Sequence, residues 1–326
     1  MTRRVLVCGG AGYIGSHMAK WLARHGIEPT VLDNLSTGHR DAVRWGELIE
    51  ADLLDPAALA HAFASRPRFD AVMHFCARSL VGESVQQPYD YYRNNVAGTL
   101  HLLQAMQRHG VDRMVFSSTA AVFGEPQAAR IDEDHPKAPI NPYGASKLMV
   151  ERILADAATA YGLRSVTLRY FNAAGASPDG DIGERHEPET HLLPNLLRAV
   201  LGTAPALKVF GDDWPTPDGT CVRDYVHVDD LAQAHLLALD HMDAVPGAHA
   251  FNLGSGSGDS VMQAIATARR VTGREVPHTM APRRPGDPPM LVASSERARR
   301  VLGWQPAYGT LEAILETAWR WHRRAG

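Results

Sequence analysis

The sequence predicts an α/β fold, a doubly wound parallel sheet followed by a smaller C-terminal α/β lobe, and three features carry that expectation. Short apolar runs alternate with helix-forming stretches from residue 3 to residue 170, the pattern of strands joined by crossover helices. The first run, Val5-Leu6-Val7-Cys8, breaks into Gly9-Gly10-Ala11-Gly12-Tyr13-Ile14-Gly15 and resumes as the helix-like Ser16-His17-Met18-Ala19. Beyond residue 170 the alternation stops: residues 175–190 are rich in Gly, Pro, Asp and Glu, too long for an ordinary connection, and shorter elements follow. The expected division is a first domain over 1–172 and a second lobe over 173–326, with the chain crossing between them more than once.

Each element has a local reason. In the opening strand, turn and helix, glycines allow a tight turn and let the backbone approach a pyrophosphate, whose charge sits on the helix N-terminus. Gly9, Gly12 and Gly15 are the glycines expected against it. A second run, Pro29-Thr30-Val31-Leu32, ends at Asp33, where an acid binds the adenosine ribose hydroxyls. A glycine-rich loop with no ligand is the bland alternative, and the acid at this spacing weighs against it. Asn34-Leu35-Ser36 follow with no Arg directly after the acid to receive a 2′-phosphate, so NAD is favoured over NADP. A third run over 47–51 ends at Asp52, placed either to bond the adenine amine or to cap a loop. Asp55-Pro56 opens a helix with an acidic N-cap and Pro at its first position. Residues 69–77 read as a fourth strand whose far end lies against the cofactor, with His74 a packed sheet-end residue rather than a catalyst. A long helix runs through Asn94, Asn95, Leu100 and Met106; adjacent asparagines are poor helix formers, so at least one should bond cofactor or backbone.

Met114-Val115-Phe116 leads into Ser117-Ser118-Thr119. Ligands of an open α/β sheet sit at the carboxyl ends of its strands, so all three hydroxyls are expected to point at the site. Asn141-Pro142-Tyr143-Gly144-Ala145-Ser146-Lys147 then begins a helix in which Tyr143 and Lys147, four apart, share a face. A phenol of reference pKa ~10 is a poor base at neutral pH, and an ammonium beside it favours the phenolate. Any helix can carry this pair, which gains meaning from the glycine turn and the hydroxyl-tipped strand. A sixth strand covers 163–170, and beyond it come a helix over 191–201, strands at 207–210 and 222–226, helices opening near Asp229 and Asp259, and closing helices over 294–302 and 311–323.

Composition excludes several classes. Thirty-three Lys+Arg against thirty-six Asp+Glu give a net charge of −3, so no global field attracts nucleic acid or an anionic membrane. The apolar run after Met1-Thr2-Arg3-Arg4 ends too soon at Gly9-Gly10 for a signal peptide, and no run is long enough to span a bilayer, so a cytoplasmic location is expected. Cys8, Cys76 and Cys221 are odd in number and widely spaced without C-x-x-C, which argues against disulfides and zinc. They are expected to be buried small hydrophobes, and no metal is expected.

GGAGYIGSH at 9–17, DNLSTG at 33–38, HFCARSLVGESV at 74–85, NPYGASK at 141–147, RYFNAAGASPDGDIGE at 169–184, HLLP at 191–194, DGTCVRDYVHVDDLA at 218–232 and RRPGD at 283–287 together resemble the UDP-glucose 4-epimerases, extended short-chain dehydrogenase/reductases. The matches span nearly the whole chain in order. The resemblance implies a Rossmann domain over 1–172 that retains NAD tightly, a nucleotide-sugar lobe over 173–326, a UDP-hexose substrate and a homodimer. It implies that Tyr143 takes the proton of the sugar 4-hydroxyl while the carbon 4 hydride passes to the nicotinamide, giving a 4-keto sugar that rotates and is reduced on its opposite face. Lys147 would lower the Tyr143 pKa and bind the nicotinamide ribose, and Thr119 would bond the same oxygen and relay the proton.

On the cofactor side it further implies Tyr13, Ile14, Asn34, Ser36, Asp52, Leu53, Phe75, Ala77, Ser79, Asn94, Ser117 and Tyr170. On the substrate side it implies Ser118, Asn172, His191, Leu192, Val209, Phe210, Tyr225 and Leu291, with Arg223 and Arg284 gripping the two phosphates as Lys cannot and Asp287 accepting from a ribose hydroxyl. A local salt bridge within Arg223-Asp224, and a solvated loop charge at Arg283-Arg284, are the plainer alternatives. Ser79 departs from relatives that carry a Lys there, which bears on NAD retention. Leu291 falls beside the sugar 2-substituent, where intermediate bulk leaves N-acetylated sugars open. Epimerases of UDP-pentoses or UDP-glucuronate share the catalytic set. A 4,6-dehydratase is disfavoured by Ala120 and Ala121 where its acids would stand, and a non-catalytic NAD-binding regulator would have no use for Thr119, Tyr143 and Lys147 together.

Overall fold

The structure is a computed structural model that describes residues 2–284 and 287–325. Its strands are β1 (Arg4–Cys8), β2 (Glu28–Asp33), β3 (Glu47–Glu50), β4 (Ala71–His74), β5 (Arg113–Thr119), β6 (Arg164–Tyr170), β7 (Asn172–Ala174), β8 (Leu207–Phe210), β9 (Val222–Arg223), β10 (Tyr225–His227), β11 (Ala248–Leu253), β12 (Asp259–Ser260), β13 (His278–Ala281) and β14 (Met290–Leu291). Its helices are α1 (Tyr13–Arg24), α2 (Pro56–Ala64), α3 (Val81–Gln86), α4 (Pro88–Tyr91), α5 (Gly98–Arg108), α6 (Pro142–Tyr161), α7 (Leu192–Leu201), α8 (Val228–Ala244), α9 (Val261–Thr272), α10 (Glu296–Leu302) and α11 (Leu311–Ala325).

Seven strands form one sheet in the order β11-β6-β5-β4-β1-β2-β3, every neighbouring pair parallel. The predicted doubly wound fold is therefore present, with the reversal of strand order at β1 and β4. Alternate residues feed two cores. Val5, Val7, Met73, Val115 and Val166 pack with α1, α8 and Trp304 on one face, while Leu6, Val72, Met114 and Phe116 pack with α2, α5 and α6 on the other. A third core gathers Leu193, Leu196, Val209, Tyr225, Ile265, Ile314 and Trp319 in the second lobe.

The cut at residue 172 does not divide the molecule cleanly. β11 pairs with β6 at the edge of the large sheet, and Leu231, Ala234, Leu239 and Trp304 belong to its first-face core, so α8, β11 and the segment after α10 return to the first layer. The sequence carries no local signal for a strand at 248–253, because a strand that completes a sheet depends on a partner far away in the chain. The strand expected over 222–226 is two short ones either side of Asp224, whose buried carboxylate accepts from Ser255 N (2.6 Å), Ala293 N (3.0 Å) and Gly256 N (3.1 Å). The long helix expected through Asn94 is segmented, with a π-helical turn over Tyr92–Ala97 ahead of α5. Cys8 and Cys221 are buried as expected, but Cys76 is only half-buried; all three are free thiols.

Local signals that held have visible partners. Asn141 caps α6 by accepting from Gly144 N at 2.8 Å, Pro142 takes the first helical position, and Gly162 ends the helix at φ 70°. Asp55 accepts from Ala57 N and Ala58 N to start α2. In the first turn Gly9 has φ 82°, and a Cβ on Gly15 would lie 2.1 Å from the Gly9 carbonyl oxygen and 2.8 Å from Gly10 Cα. Neither contact is with a movable side chain.

Two predictions follow from packing. Gly15→Ala should lower the unfolding free energy by about 1–3 kcal/mol in urea titration, as overpacking does, and an unchanged midpoint would show the turn to be slack. The second concerns His17, His74, His227 and His235, which are fully enclosed and pushed down by burial to about 4, 3, 3 and 4. Their folded pKa values lie below the unfolded one, so the unfolded chain binds more protons beneath pH ~6.5 and the stability present above that pH is lost as pH falls. Each contributes about 1.4 kcal/mol per pH unit within its window. Asp229, pushed up to about 6 by burial, opposes by one proton. Stability should thus fall between pH 7 and pH 5, and a flat profile would refute neutral burial of the four rings.

Candidate active site

The carboxyl ends of β4, β5 and β6 face the start of α6, and this junction collects the predicted chemistry. Tyr143 is the second residue of α6, and its phenol faces the Thr119 side chain at the end of β5. The Tyr143 ring stands edge-on to Tyr91 with centroids 6.5 Å apart, and the Tyr91 hydroxyl is tied to Leu80 O and Glu83 Oε2, both at 2.7 Å. One turn on, the buried Lys147 donates from Nζ to the Ser117 carbonyl at 2.7 Å and lies 4.8 Å above the Phe116 ring. Asn95, buried in the π-helical turn, accepts from Arg78 N (2.9 Å) and donates to Arg78 O and Ser146 Oγ (3.0 Å each). It bonds backbone, as one asparagine was expected to, and locks three segments together; Asn94 donates to it at 3.0 Å.

Two expectations need correction. Burial pushes the Tyr143 phenol up, only partly opposed by the Thr119 side chain, and burial pushes Lys147 down to about 8. Among the protein's own groups, then, desolvation outweighs any lowering of the phenol by Lys147, a balance that residue spacing does not reveal. Nor do all three hydroxyls of β5 face the site. Side chains alternate across a strand, and Ser118 is buried on the opposite side, donating to Glu151 Oε1 at 2.6 Å. Glu151 also pairs with Arg169 through bonds of 3.0 and 2.6 Å. Ser117, on the Thr119 side, bonds the Tyr170 hydroxyl.

On the cofactor side, Gly12 is the N-cap of α1 and offers no capping side chain, which leaves first-turn amides for an anion. The glycines leave no room for a Cβ at Gly15, and Asp33 lies buried at the end of β2, its carboxyl pushed up by burial and holding Leu35 N (2.8 Å) and Ala11 N (3.0 Å). A dinucleotide fits this cradle. Tyr13 and Ile14 open α1; the Tyr13 hydroxyl donates to Gly175 O at 2.7 Å, and Ile14 packs on the first-face core. Asn34 Nδ2 donates to Asp52 at 2.8 Å, so the two adenine-side polar groups hold one another. Ser36 is exposed, Leu53 is buried under α5, Phe75 and Ala77 are half-buried past β4, and Ser79 is exposed in the following loop.

On the substrate side, Arg284 lies 4.5 Å over the Phe210 ring and donates to Asp287 at 3.1 Å, while Arg223 approaches the same carboxylate at 3.7 Å. Arg223 also donates to Val222 O and Pro288 O at 2.9 Å each, so local pairing and a phosphate grip share the same side chains. Pro285 and Gly286 of this motif lie outside the described residues. Leu291 is paired beside Arg223 and packs with Val122, Phe123, Ile131, Leu148 and Phe171. Asn172 donates to Asp224 O at 2.8 Å. Val209 and Tyr225 are buried in the third core, Leu192 packs against it, and His191 turns to Glu184 and Glu189, at 2.9 and 3.0 Å. These four side chains therefore sit in packing or ion-pair environments that the sequence pattern does not disclose. The expected Arg223-Asp224 salt bridge is not formed, because the Asp224 carboxylate takes backbone amides instead. Glu151, Tyr91 and Glu83 carry no motif of their own in the sequence; only Glu151, one turn beyond Lys147, leaves a periodic signal.

Comparison with known proteins gives the family. The profile of the NAD dependent epimerase/dehydratase family matches residues 5–254. UDP-glucose 4-epimerase of Lacticaseibacillus casei is 52% identical over 319 residues, covering 98% of this chain and 96% of that protein. The Brucella ovis UDP-glucose 4-epimerase, solved in complex with NAD, superposes with a TM-score of 0.94 at 51% identity and 98% coverage of both chains. The Bifidobacterium longum enzyme, solved with NAD+ and UDP, gives 0.93 at 36% identity, again covering 98% of each. With the family profile across most of its length and relatives at this identity, the chain belongs to the NAD dependent epimerase/dehydratase family.

Proposed function

We propose that the chain catalyses 4-epimerisation of a UDP-hexose, interconverting UDP-glucose and UDP-galactose with NAD as cofactor. The observation that carries this is the Thr119, Tyr143 and Lys147 group at the end of β5, supported by the glycine cradle after β1 and by Arg223, Arg284 and Phe210 gathered in the second lobe. Relatives at about half identity over nearly full length are named UDP-glucose 4-epimerases. NAD supplies a hydride acceptor that returns the hydride within the same turnover, so the sugar is neither oxidised nor reduced overall. The chain's residues handle the proton. Tyr143 Oη accepts it from the sugar 4-hydroxyl and gives it back on the other face, with Thr119 holding the phenol in reach. Lys147, anchored on the Ser117 carbonyl, presents the remaining ammonium protons toward the cofactor ribose and stabilises the phenolate as it forms.

Gly9, Gly12, Gly15 and Asp33 hold the dinucleotide; Arg223 and Arg284 hold the diphosphate, and Phe210 and Asp287 the nucleoside. The first of these sets lies in the 1–172 portion and the second in the 173–326 portion. We infer a homodimer, supported by the exposed apolar side chains Val85, Tyr89 and Met149 on α3, the start of α4 and α6, which pack together. A cytoplasmic location is supported by three free thiols. Among the described residues no helix is long and apolar enough to cross a membrane.

Purified protein given UDP-galactose without added NAD should form UDP-glucose, and Tyr143→Phe should lower kcat by about 10²–10⁴-fold with the fold intact. Net accumulation of a keto sugar, or turnover only with stoichiometric NADH, would overturn the reading. Arg284→Lys keeps the charge and removes the planar fork, so KM for UDP-galactose should rise about tenfold, equivalent to ~1.4 kcal/mol, while kcat holds. A fall confined to kcat would place Arg284 outside substrate binding.

A further inference from the structure

The segment between β7 and α7 carries Glu184, His186, Glu189 and His191, and one ligand atom from each lies within 4.8 Å of all the others. The geometry points to a binding site for one divalent transition-metal ion, made of two imidazole nitrogens and two carboxylates. This site shares no group with Thr119, Tyr143 and Lys147; its His191, expected on the substrate side, is turned here to the two carboxylates.

Three observations support it. The Glu184 and Glu189 side chains are only 5% and 3% exposed, and two carboxylates brought together out of water need a compensating cation. His186 Nδ1 is shut from solvent without a hydrogen bond, although Glu184 Oε1 lies 3.3 Å and Glu189 Oε2 3.6 Å away. A ring nitrogen that faces two carboxylates and aligns on neither suits an ion set between them better than a shared proton. Finally, the ligands are held in advance. Glu189 Oε1 accepts from Thr190 N and His191 N at 2.9 Å, and the Glu184 carbonyl accepts from Trp321 Nε1 at 3.2 Å.

The dimensions and chemistry agree on the class of ion. Ligand atoms bound at about 2.0–2.2 Å in a tetrahedral set stand about 3.3 Å apart. Glu184 Oε1 lies 2.9 Å from His191 Nδ1 and 3.3 Å from His186 Nδ1, while Glu189 offers Oε1 at 3.0 Å from His191 and the free Oε2 at 3.6 Å from His186. An ion would therefore draw the four ligand atoms, now within 4.8 Å of one another, slightly closer on the Glu189 Oε2 side. A mixed nitrogen and oxygen set favours Zn²⁺, Co²⁺ or Mn²⁺ over Mg²⁺ and Ca²⁺, which prefer oxygen alone. The expectation against zinc rested on cysteines, and this set uses none.

The ion would act as a fastener. The His186 ring meets the Tyr13 ring edge-on at 6.2 Å, the Arg185 side chain bonds Asp41 at 2.5 Å, and the Arg185 carbonyl lies 3.1 Å from His39 Nε2. An ion here therefore secures the 175–191 segment against the glycine turn.

The test uses the full chain, stripped with a chelator and titrated with Co²⁺ and then Zn²⁺. We expect one Co²⁺ per chain with a visible d–d absorption unlike that of the hydrated ion, its displacement by one Zn²⁺, and a melting temperature that rises with Zn²⁺. His186→Ala and Glu184→Gln should lose the band and the thermal response while keeping the native circular-dichroism spectrum. A hydrated-ion spectrum with no stoichiometric uptake by the wild type would overturn the site and leave an ion-paired quartet with protonated imidazoles, as would an undiminished band in folded variants. Should a variant fail to fold, the wild-type Co²⁺ titration decides alone.

Discussion

The register between α6 and β5 is set by two polar ties one helical turn apart, and the candidate active site depends on it. Lys147 donates to the Ser117 carbonyl on the site side, and Glu151 accepts from Ser118 and Arg169 beneath it. All of these groups are nearly enclosed. Buried ions recover their desolvation cost only with good geometry, so such a pair constrains alignment more than it adds stability. With the helix fixed at both points, Tyr143 at its first turn has one place to be, against Thr119.

Beneath the substrate lobe a different device does comparable work. Asp224 lies in the middle of a motif that reads as a strand, yet its carboxylate is spent on three backbone amides from the loops at 254–256 and 293. A Cβ on Gly254 would come within 2.4 Å of Asp224 Oδ2, so the loop must pass at backbone distance. Arg223 is carried on the same backbone, so the grip on a diphosphate is only as rigid as this buried carboxylate makes it.

Much of the molecule was legible in the sequence because its signals are local. The glycine turn, the acid closing β2, the Asn141-Pro142 start of α6 and the alternation of strands and helices each act over a few residues and imply the fold class; the family resemblance rests in addition on the later motifs at 218–232 and 283–287. What was not legible depends on contacts distant in sequence or on burial. β11 completes the sheet only through β6. Ser118 turns away because strand residues alternate, so three consecutive hydroxyls cannot share one face. The direction of the Tyr143 shift depends on how completely the phenol is enclosed, and His191 faces carboxylates seven and two residues earlier, across a bend that no periodic pattern encodes.

The late return of β11 to the edge of the large sheet also bears on how the protein is made. During synthesis β1 to β6 emerge first and can begin to pair, but β6 keeps an open edge until the chain has passed through α7, β8 and α8. An unpaired parallel edge next to apolar side chains is a template for another chain. The nascent protein therefore passes through a stage exposed to aggregation that ends only when residues 248–253 dock, and slow translation or truncation between residues 171 and 247 would prolong it.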